Sequence, residues 1–299
     1  LSRGGIPARP DLNREVAFQP RQIMGAVVFL NEDGSYQKHR KINFNDGACY
    51  LSLDKGNRHL LGVSYGNGRL NVYPLDEEGI PGKAVTTIDE GKKQAHCILL
   101  PPDGKNVYIP YVKENLAILQ YAYDGKTGMV KPLEPKDAKP PLGSGPRHMA
   151  YHPTLPMVYF SNEQGIGLSS YRREANGQLK AEQDISILPP GMSKMGLSAS
   201  DLLITPDGKF LFAGLRGHRQ DFDRISRYRV LEDGKAEFLG LTEADQIPWG
   251  LTLSPDGKFL LVTATNGASL TAFRISKDGD LKKVASLAWD PRMSDLVTR

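Results

Sequence analysis

The chain has 299 residues, 39% hydrophobic and 24% charged, with a formal charge of +4. Positive and negative side chains alternate with no run of like charge, which argues against nucleic-acid or membrane-surface binding. No stretch reaches the ~20 apolar residues of a membrane span, and two cysteines, Cys49 and Cys97, are too few for a disulfide framework. The first residues lack the apolar core of a secretory signal. A cytoplasmic location is therefore expected, with an exported form left open because the sequence does not begin with Met.

Residues 1–19 read as an irregular segment. A first strand at 26–30 runs into the turn Asp33-Gly34. A unit of two apolar runs joined by a turn then recurs: 49–53 with 59–63, 97–100 with 107–109, 149–152 with 158–160, 202–205 with 210–212, and 251–254 with 259–262. Four of the turns carry Gly56, Gly104, Gly208 and Gly257, and the other carries His152-Pro153. The spacing is roughly 50 residues. Each copy is followed by a further strand, at 70–75, 116–121, 168–172, 225–230 and 270–275. Several of these run into Asn176-Gly177, Asp233-Gly234 or Asp278-Gly279, dipeptides that accept the positive φ angles of tight hairpins. No window has the periodicity of an amphipathic helix.

Four short strands per ~45–50 residues predict an all-β propeller of four-stranded antiparallel blades, a single domain over residues 1–299. Five complete units are visible, preceded by a half-unit at 20–45 and followed by the tail Pro291–Arg299. Pairing the tail with residues 14–45 would make a sixth blade.

The third unit contains Gly143-Ser144-Gly145-Pro146-Arg147-His148, then His152-Pro153, and closes on Asn162-Glu163. With Ser64-Tyr65, His96-Cys97 and Leu215-Arg216-Gly217-His218 in order, this set resembles the lactonase family that includes bacterial 6-phosphogluconolactonase and is related to fungal carboxy-muconate cyclase. The similarity runs from about residue 22 to the end. It implies a seven-bladed propeller, of which the chain lacks the first blade and the inner half of the second; no cofactor is expected. The family's site residues map onto His96, Arg147, Glu163 and Arg216 as catalytic groups. Arg147 and Arg216 also read as substrate-binding, with His148, His218 and Tyr65 beside them. Thr263 and Thr265, and the loop at 219–224, depart from the family pattern.

Those residue types suit hydrolysis of a lactone. A carboxylate in a cleft is a general base for water, and guanidinium forks bind anions and developing oxyanions. His96, with an ordinary pKa near 6.5, is expected to orient water or protonate the leaving ring oxygen. No G-x-S-x-G elbow is present. Plainer readings stand beside these: a structural ion pair for Glu163, a core histidine for His96, and structural roles for His148 and His152. Cys97 follows His96, but strand neighbours point to opposite faces, so it and its counterpart Cys49 read as structural thiols. Asp46 and Asp201 are too few for a calcium site, and nearby guanidiniums oppose one. The expected function is metal-independent hydrolysis of a small anionic sugar lactone, with 6-phospho-D-glucono-1,5-lactone as the leading substrate, by a monomer or weak homodimer. A muconate-type cycloisomerase and a non-catalytic binding platform are the alternatives.

Overall fold

β-Rich runs separated by glycine turns fold back on themselves, and here each return adds one strand to a meander. The computed structural model describes residues 23–218 and 221–289, with Leu296 and Thr298 beyond them. It begins with a two-stranded ribbon, β1 (Ile23–Leu30) and β2 (Tyr36–Phe44). The first blade is β3 (Ala48–Leu53), β4 (His59–Ser64), β5 (Leu70–Pro74) and β6 (Thr86–Ile88). The second is β7 (Asn106–Tyr111), β8 (Ala117–Asp124) and β9 (Met129–Asp137). The third is β10 (Pro146–Tyr151), β11 (Met157–Asn162), β12 (Gly167–Arg173) and β13 (Leu179–Ser186). The fourth is β14 (Leu197–Ile204), β15 (Phe210–Gly217), β16 (Arg224–Val230) and β17 (Ala236–Glu243). The fifth is β18 (Pro248–Leu253), β19 (Phe259–Ala264), β20 (Ser269–Ile275) and β21 (Leu281–Ala288).

Strand order in every sheet is chain order, so each blade is an antiparallel meander. The expected strands match β1, β5, β8, β12, β16 and β20 to within a few residues. Among the described residues the only helical piece is a 3-10 turn, Lys113–Asn115. The expected irregular segment 1–19 lies outside the described residues, as does most of the tail. Thr298 is described, and its Oγ1 donates to the Leu253 carbonyl at the end of β18 (2.6 Å).

The second blade corrects the expectation of four strands. Its innermost segment is held by one bridge, Ala95 to Tyr111, and by the His96 N–H donating to the Pro110 carbonyl (3.0 Å). Pro110 has no N–H to return, and Pro101-Pro102 withhold two more donors further along, so no ladder propagates.

Burial runs from inside outwards. The second strands β4, β11 and, in the three-stranded blade, β7 are buried at every position, whereas β13, β17 and β21 are mostly open to water. A strand buried on both faces must be covered by neighbouring sheets. Accordingly, the core forms three clusters that each join residues of successive blades.

Matching backbone bonds set the blades in register: Leu75 to Arg58, Tyr123 to Lys105, Arg173 to Pro156, Val230 to Lys209 and Ile275 to Lys258. Counted from these, Tyr73, Tyr121, Tyr171, Tyr228 and Phe273 occupy one equivalent place, and all are buried. One large ring per blade thus fills the interval to the next sheet. Two further tyrosines tie blades together through hairpin glycines: Tyr108 Oη donates to the Gly177 carbonyl (2.5 Å) and Tyr159 Oη to that of Gly234 (2.8 Å). Both glycines have φ of +85°, and a Cβ on Gly234 would stand 2.5 Å from Met157 Cγ.

The Tyr228 hydroxyl is buried without a hydrogen-bond partner, and its counterpart Phe273 has none to satisfy. Tyr228→Phe is expected to be neutral or stabilising by up to about 1 kcal/mol in urea unfolding. Tyr228→Ala should cost about 3–5 kcal/mol. A large loss in the phenylalanine variant would mean that the hydroxyl is bonded after all.

Candidate active site

The channel-lining positions follow from the same register. Close to the start of the inner strand, pairing skips residues between Ala48 and Tyr50, Pro146 and Met149, Ala199 and Leu202, and Pro248 and Gly250. Such bulges re-aim side chains that plain alternation would send elsewhere. The equivalent residues are Cys49, His96, Arg147, Ser200 and Trp249. A second ring comes from the ends of the next strands: Tyr65, Val112, Glu163, Arg216 and Thr265.

Local chemistry binds the two rings where the third blade supplies both. Gly143 and Gly145 adopt φ of +72° and +61°. Their loop wraps the corner after β11: Glu163 N–H donates to the Gly145 carbonyl (2.7 Å), and the N–H groups of Gln164 and Gly165 donate to Ser144 (3.0 and 2.8 Å). A Cβ on Gly145 would collide with the Gln164 side chain. The Gly-Ser-Gly-Pro-Arg segment and the Asn-Glu corner are therefore one structural unit.

Three of the expected quartet, Arg147, Glu163 and Arg216, are in direct contact. Arg216 Nη2 donates to Glu163 Oε1 (3.1 Å) and to the Ala199 carbonyl (2.8 Å), while Arg147 Nε lies 3.5 Å from Glu163 Oε2. Trp249 faces both cations, with its ring centroid 4.5 Å from Arg216 Cζ and 5.5 Å from Arg147 Cζ. The guanidinium side chains are only 1% and 3% exposed for Arg147 and Arg216, and the carboxylate 14%. Two guanidiniums against one carboxylate leave one net positive charge in a site where burying each ion costs several kcal/mol. Burial first, and the Arg147 charge second, push the Arg216 pKa down to about 9, which still leaves it charged at neutral pH.

Hydrogen-bonding capacity remains unused. Arg147 Nη1, Arg216 Nε and His96 Nδ1 are buried without hydrogen-bond partners, while Arg147 Nε and Glu163 Oε2, 3.5 Å apart, have only their ion pair with each other. Buried polar groups are nearly always paired, so a cluster of unpaired ones around one point marks a place prepared for a polar ligand.

His96 stands beside this trio and stacks edge-on against Tyr65 (centroids 5.6 Å apart) and at a tilt against His148 (5.1 Å). Enclosure by protein, then the charges of Arg147 and His148, hold its pKa well below 6.5. Of the two expected roles, orienting water or protonating the leaving oxygen, that direction favours the first. His148 is anchored, its Nδ1 lying 2.6 Å from Asp201 Oδ1, and Asp201 also accepts the N–H groups of Leu202 and Leu251 (2.8 and 2.9 Å). His218 turns to Ser198 Oγ (2.7 Å) at the rim, its pKa lowered by burial and then by Arg216. His152 Nδ1 accepts the N–H groups of Thr154 and Leu155 (3.1 and 2.9 Å), which makes it a turn residue.

The register corrects one expectation about the thiols: Cys49 holds the place of His96, and the counterpart of Cys97 is Tyr50. Cys49 Sγ donates to the Ala95 carbonyl (3.2 Å), and burial raises its pKa to about 12. Cys97 is fully buried in the core. Among the described residues no group of three or more His, Cys, Asp and Glu side chains is arranged to hold a metal. Asp201 is committed to His148, and Asp46 to Asn71 (2.8 Å) and Asn67. Trp249 and the anchoring role of Asp201 were not read from the sequence; the place of Trp249 in the repeat, equivalent to Arg147, was the available signal. The departing loop contributes Asp223, whose Oδ1 accepts Gly217 N–H (2.9 Å) and Ile247 N–H (2.8 Å) behind Arg216.

Comparison with known proteins agrees with this architecture. The family model "Lactonase, 7-bladed beta-propeller" matches residues 22–292. A 6-phosphogluconolactonase of Pectobacterium carotovorum is 28% identical over 263 residues, covering 87% of this chain and 76% of that protein. The enzyme of the same name from Klebsiella pneumoniae is 28% identical over 272 residues, covering 90% and 76%. Among solved structures, the periplasmic gluconolactonase of Pseudomonas aeruginosa superposes with a TM-score of 0.74 at 22% identity, over 93% of this chain and 85% of that one. A putative 6-phosphogluconolactonase from Bacteroides uniformis gives 0.78 at 20% identity, over 90% and 79%. No helix among the described residues is long and apolar enough to cross a membrane. With the family model spanning nearly all the described strands, the chain belongs to the lactonase family of seven-bladed β-propellers.

Proposed function

We propose that the protein hydrolyses a sugar lactone without a metal, and that its substrate is 6-phospho-D-glucono-1,5-lactone, opened to 6-phosphogluconate. The observation that carries this reading is the buried Arg147–Glu163–Arg216 cluster with its unpaired donors. The names of the curated relatives support the choice of substrate.

In this mechanism the lactone carbonyl oxygen is directed at the unpaired guanidinium N–H groups. Glu163 Oε2 takes a proton from water as the water oxygen bonds to the carbonyl carbon. The resulting oxyanion is held by Arg147 and Arg216, an arrangement in which one donor is worth about 10²–10³ in rate. Collapse breaks the bond between the carbonyl carbon and the ring oxygen, and the proton held by Glu163 passes to that oxygen. His96, uncharged, orients water by hydrogen bonding and carries no proton to the leaving group. Tyr65, His148 and His218 line the substrate's approach, and Trp249 keeps the cations in place from below.

Glu163→Gln should lower kcat by about 10²–10⁴ while circular dichroism and melting remain those of a folded protein. Wild-type turnover in that variant would remove Glu163 from the base role. Arg216→Lys keeps the charge but loses the fork, and a fall of about 10²-fold in kcat/KM is expected.

His96 also predicts a pH effect on stability. Its folded pKa lies below the unfolded value of 6.5, so the unfolded chain binds more protons as pH falls through that value. Its stabilising contribution is therefore complete above pH 6.5 and is lost progressively on acidification. Chemical denaturation at pH 7 and pH 5 should show a smaller pH difference for His96→Asn than for wild type. An unchanged difference would mean that His96 titrates normally.

A further inference from the structure

The rim above the buried cluster holds a cation that the mechanism does not use. Lys113 follows Val112, the residue equivalent to Glu163 in the second blade. It opens the 3-10 turn Lys113–Asn115 with φ of +55°, a left-handed conformation that a lysine rarely adopts. Its N–H donates to Gln164 Oε1 (3.0 Å), fastening it to the residue next to Glu163. Its Nζ lies 5.6 Å from the centre of the Tyr65 ring, the same ring that stacks on His96.

Gln94 locks this pair together, and it too has a positive φ, +71°. Its N–H donates to the Tyr65 carbonyl (2.8 Å), and its own carbonyl accepts Val112 N–H (3.2 Å). Its side chain donates to Glu114 Oε1 (2.9 Å) and accepts from Asn115 Nδ2 (2.9 Å). The neighbouring acid is thus occupied with Gln94, while Lys113 turns to the ring. Strained residues held by this many bonds are characteristic of sites where geometry serves a ligand.

We propose that Lys113, with the Tyr65 hydroxyl, is an anion subsite that receives the phosphate of the lactone. The inference rests on the lactonase reading above and assigns the two ends of the substrate. The carbonyl belongs with the buried arginines, where water must be excluded and charge develops only during reaction. The phosphate is a hydrated dianion whose full burial is costly, so a solvent-exposed ammonium at the rim is the suitable partner. The Tyr65 phenol and the Glu163 carboxylate both raise the Lys113 pKa, which keeps the ammonium charged throughout the neutral range.

The test compares 6-phosphoglucono-1,5-lactone with plain glucono-1,5-lactone. Lys113→Gln should lower the ratio of their kcat/KM values about tenfold to a hundredfold, the range of a lost charged hydrogen bond. Lys113→Arg should restore most of the ratio, and Tyr65→Phe should lower it less. Calorimetry with gluconate 6-phosphate and with gluconate should show the same loss of phosphate preference in Lys113→Gln. A ratio unchanged within about twofold, in a variant that still opens both lactones, would overturn the subsite and leave the lactonase reading intact. Wild-type protein that opens neither lactone would overturn that reading; the subsite then stands only if Lys113→Gln binds gluconate 6-phosphate more weakly than wild type does.

Discussion

Everything in this molecule depends on strands that are buried on both faces. β4, β7 and β11 have no water-facing side, so none of their sheets is stable as a separate layer. Each must lie against the next, and the large ring on the third strand of every blade sets the interval between them. Stacked in this way, equivalent residues from successive blades come to face a common channel. The candidate site is a consequence of that convergence. Arg147 and Glu163 come from one blade and Arg216 from the next, yet the two second-strand residues occupy the same place in the repeat.

The balance of charge at the centre has its own logic. Two guanidiniums are withdrawn from water with a single carboxylate between them, and the aromatic face of Trp249 serves as their further support. Arg147 Nη1 and Arg216 Nε remain buried without partners, more donors than a closed ion pair needs to leave unused. Burial first, and then the same charges, keep His96 neutral, because a further cation beside Arg147 would be repelled.

Much of the fold was legible because turn chemistry is local. Asp33-Gly34, Asn176-Gly177, Asp233-Gly234 and Asp278-Gly279 mark hairpins wherever they occur, and their glycines all adopt positive φ. The absent inner ladder of the second blade was harder to read, since it depends on Pro110 standing opposite His96, a pairing known only once the register is known. At the site, the signature around Arg147 and Glu163 was visible in sequence because one loop binds both. Trp249 and Lys113 escaped notice for different reasons. The first is aimed by a bulge, and the second by a backbone conformation that its residue type does not advertise.

The equivalence of Tyr65, Glu163, Arg216 and Thr265 makes each a slot in one repeated frame. Glu163 N–H donates to Gly145 and Thr265 N–H to Ile247, so the same backbone bond holds the slot whatever side chain fills it. The frame fixes where a side chain meets the channel, and residue type alone then sets the charge and shape presented there.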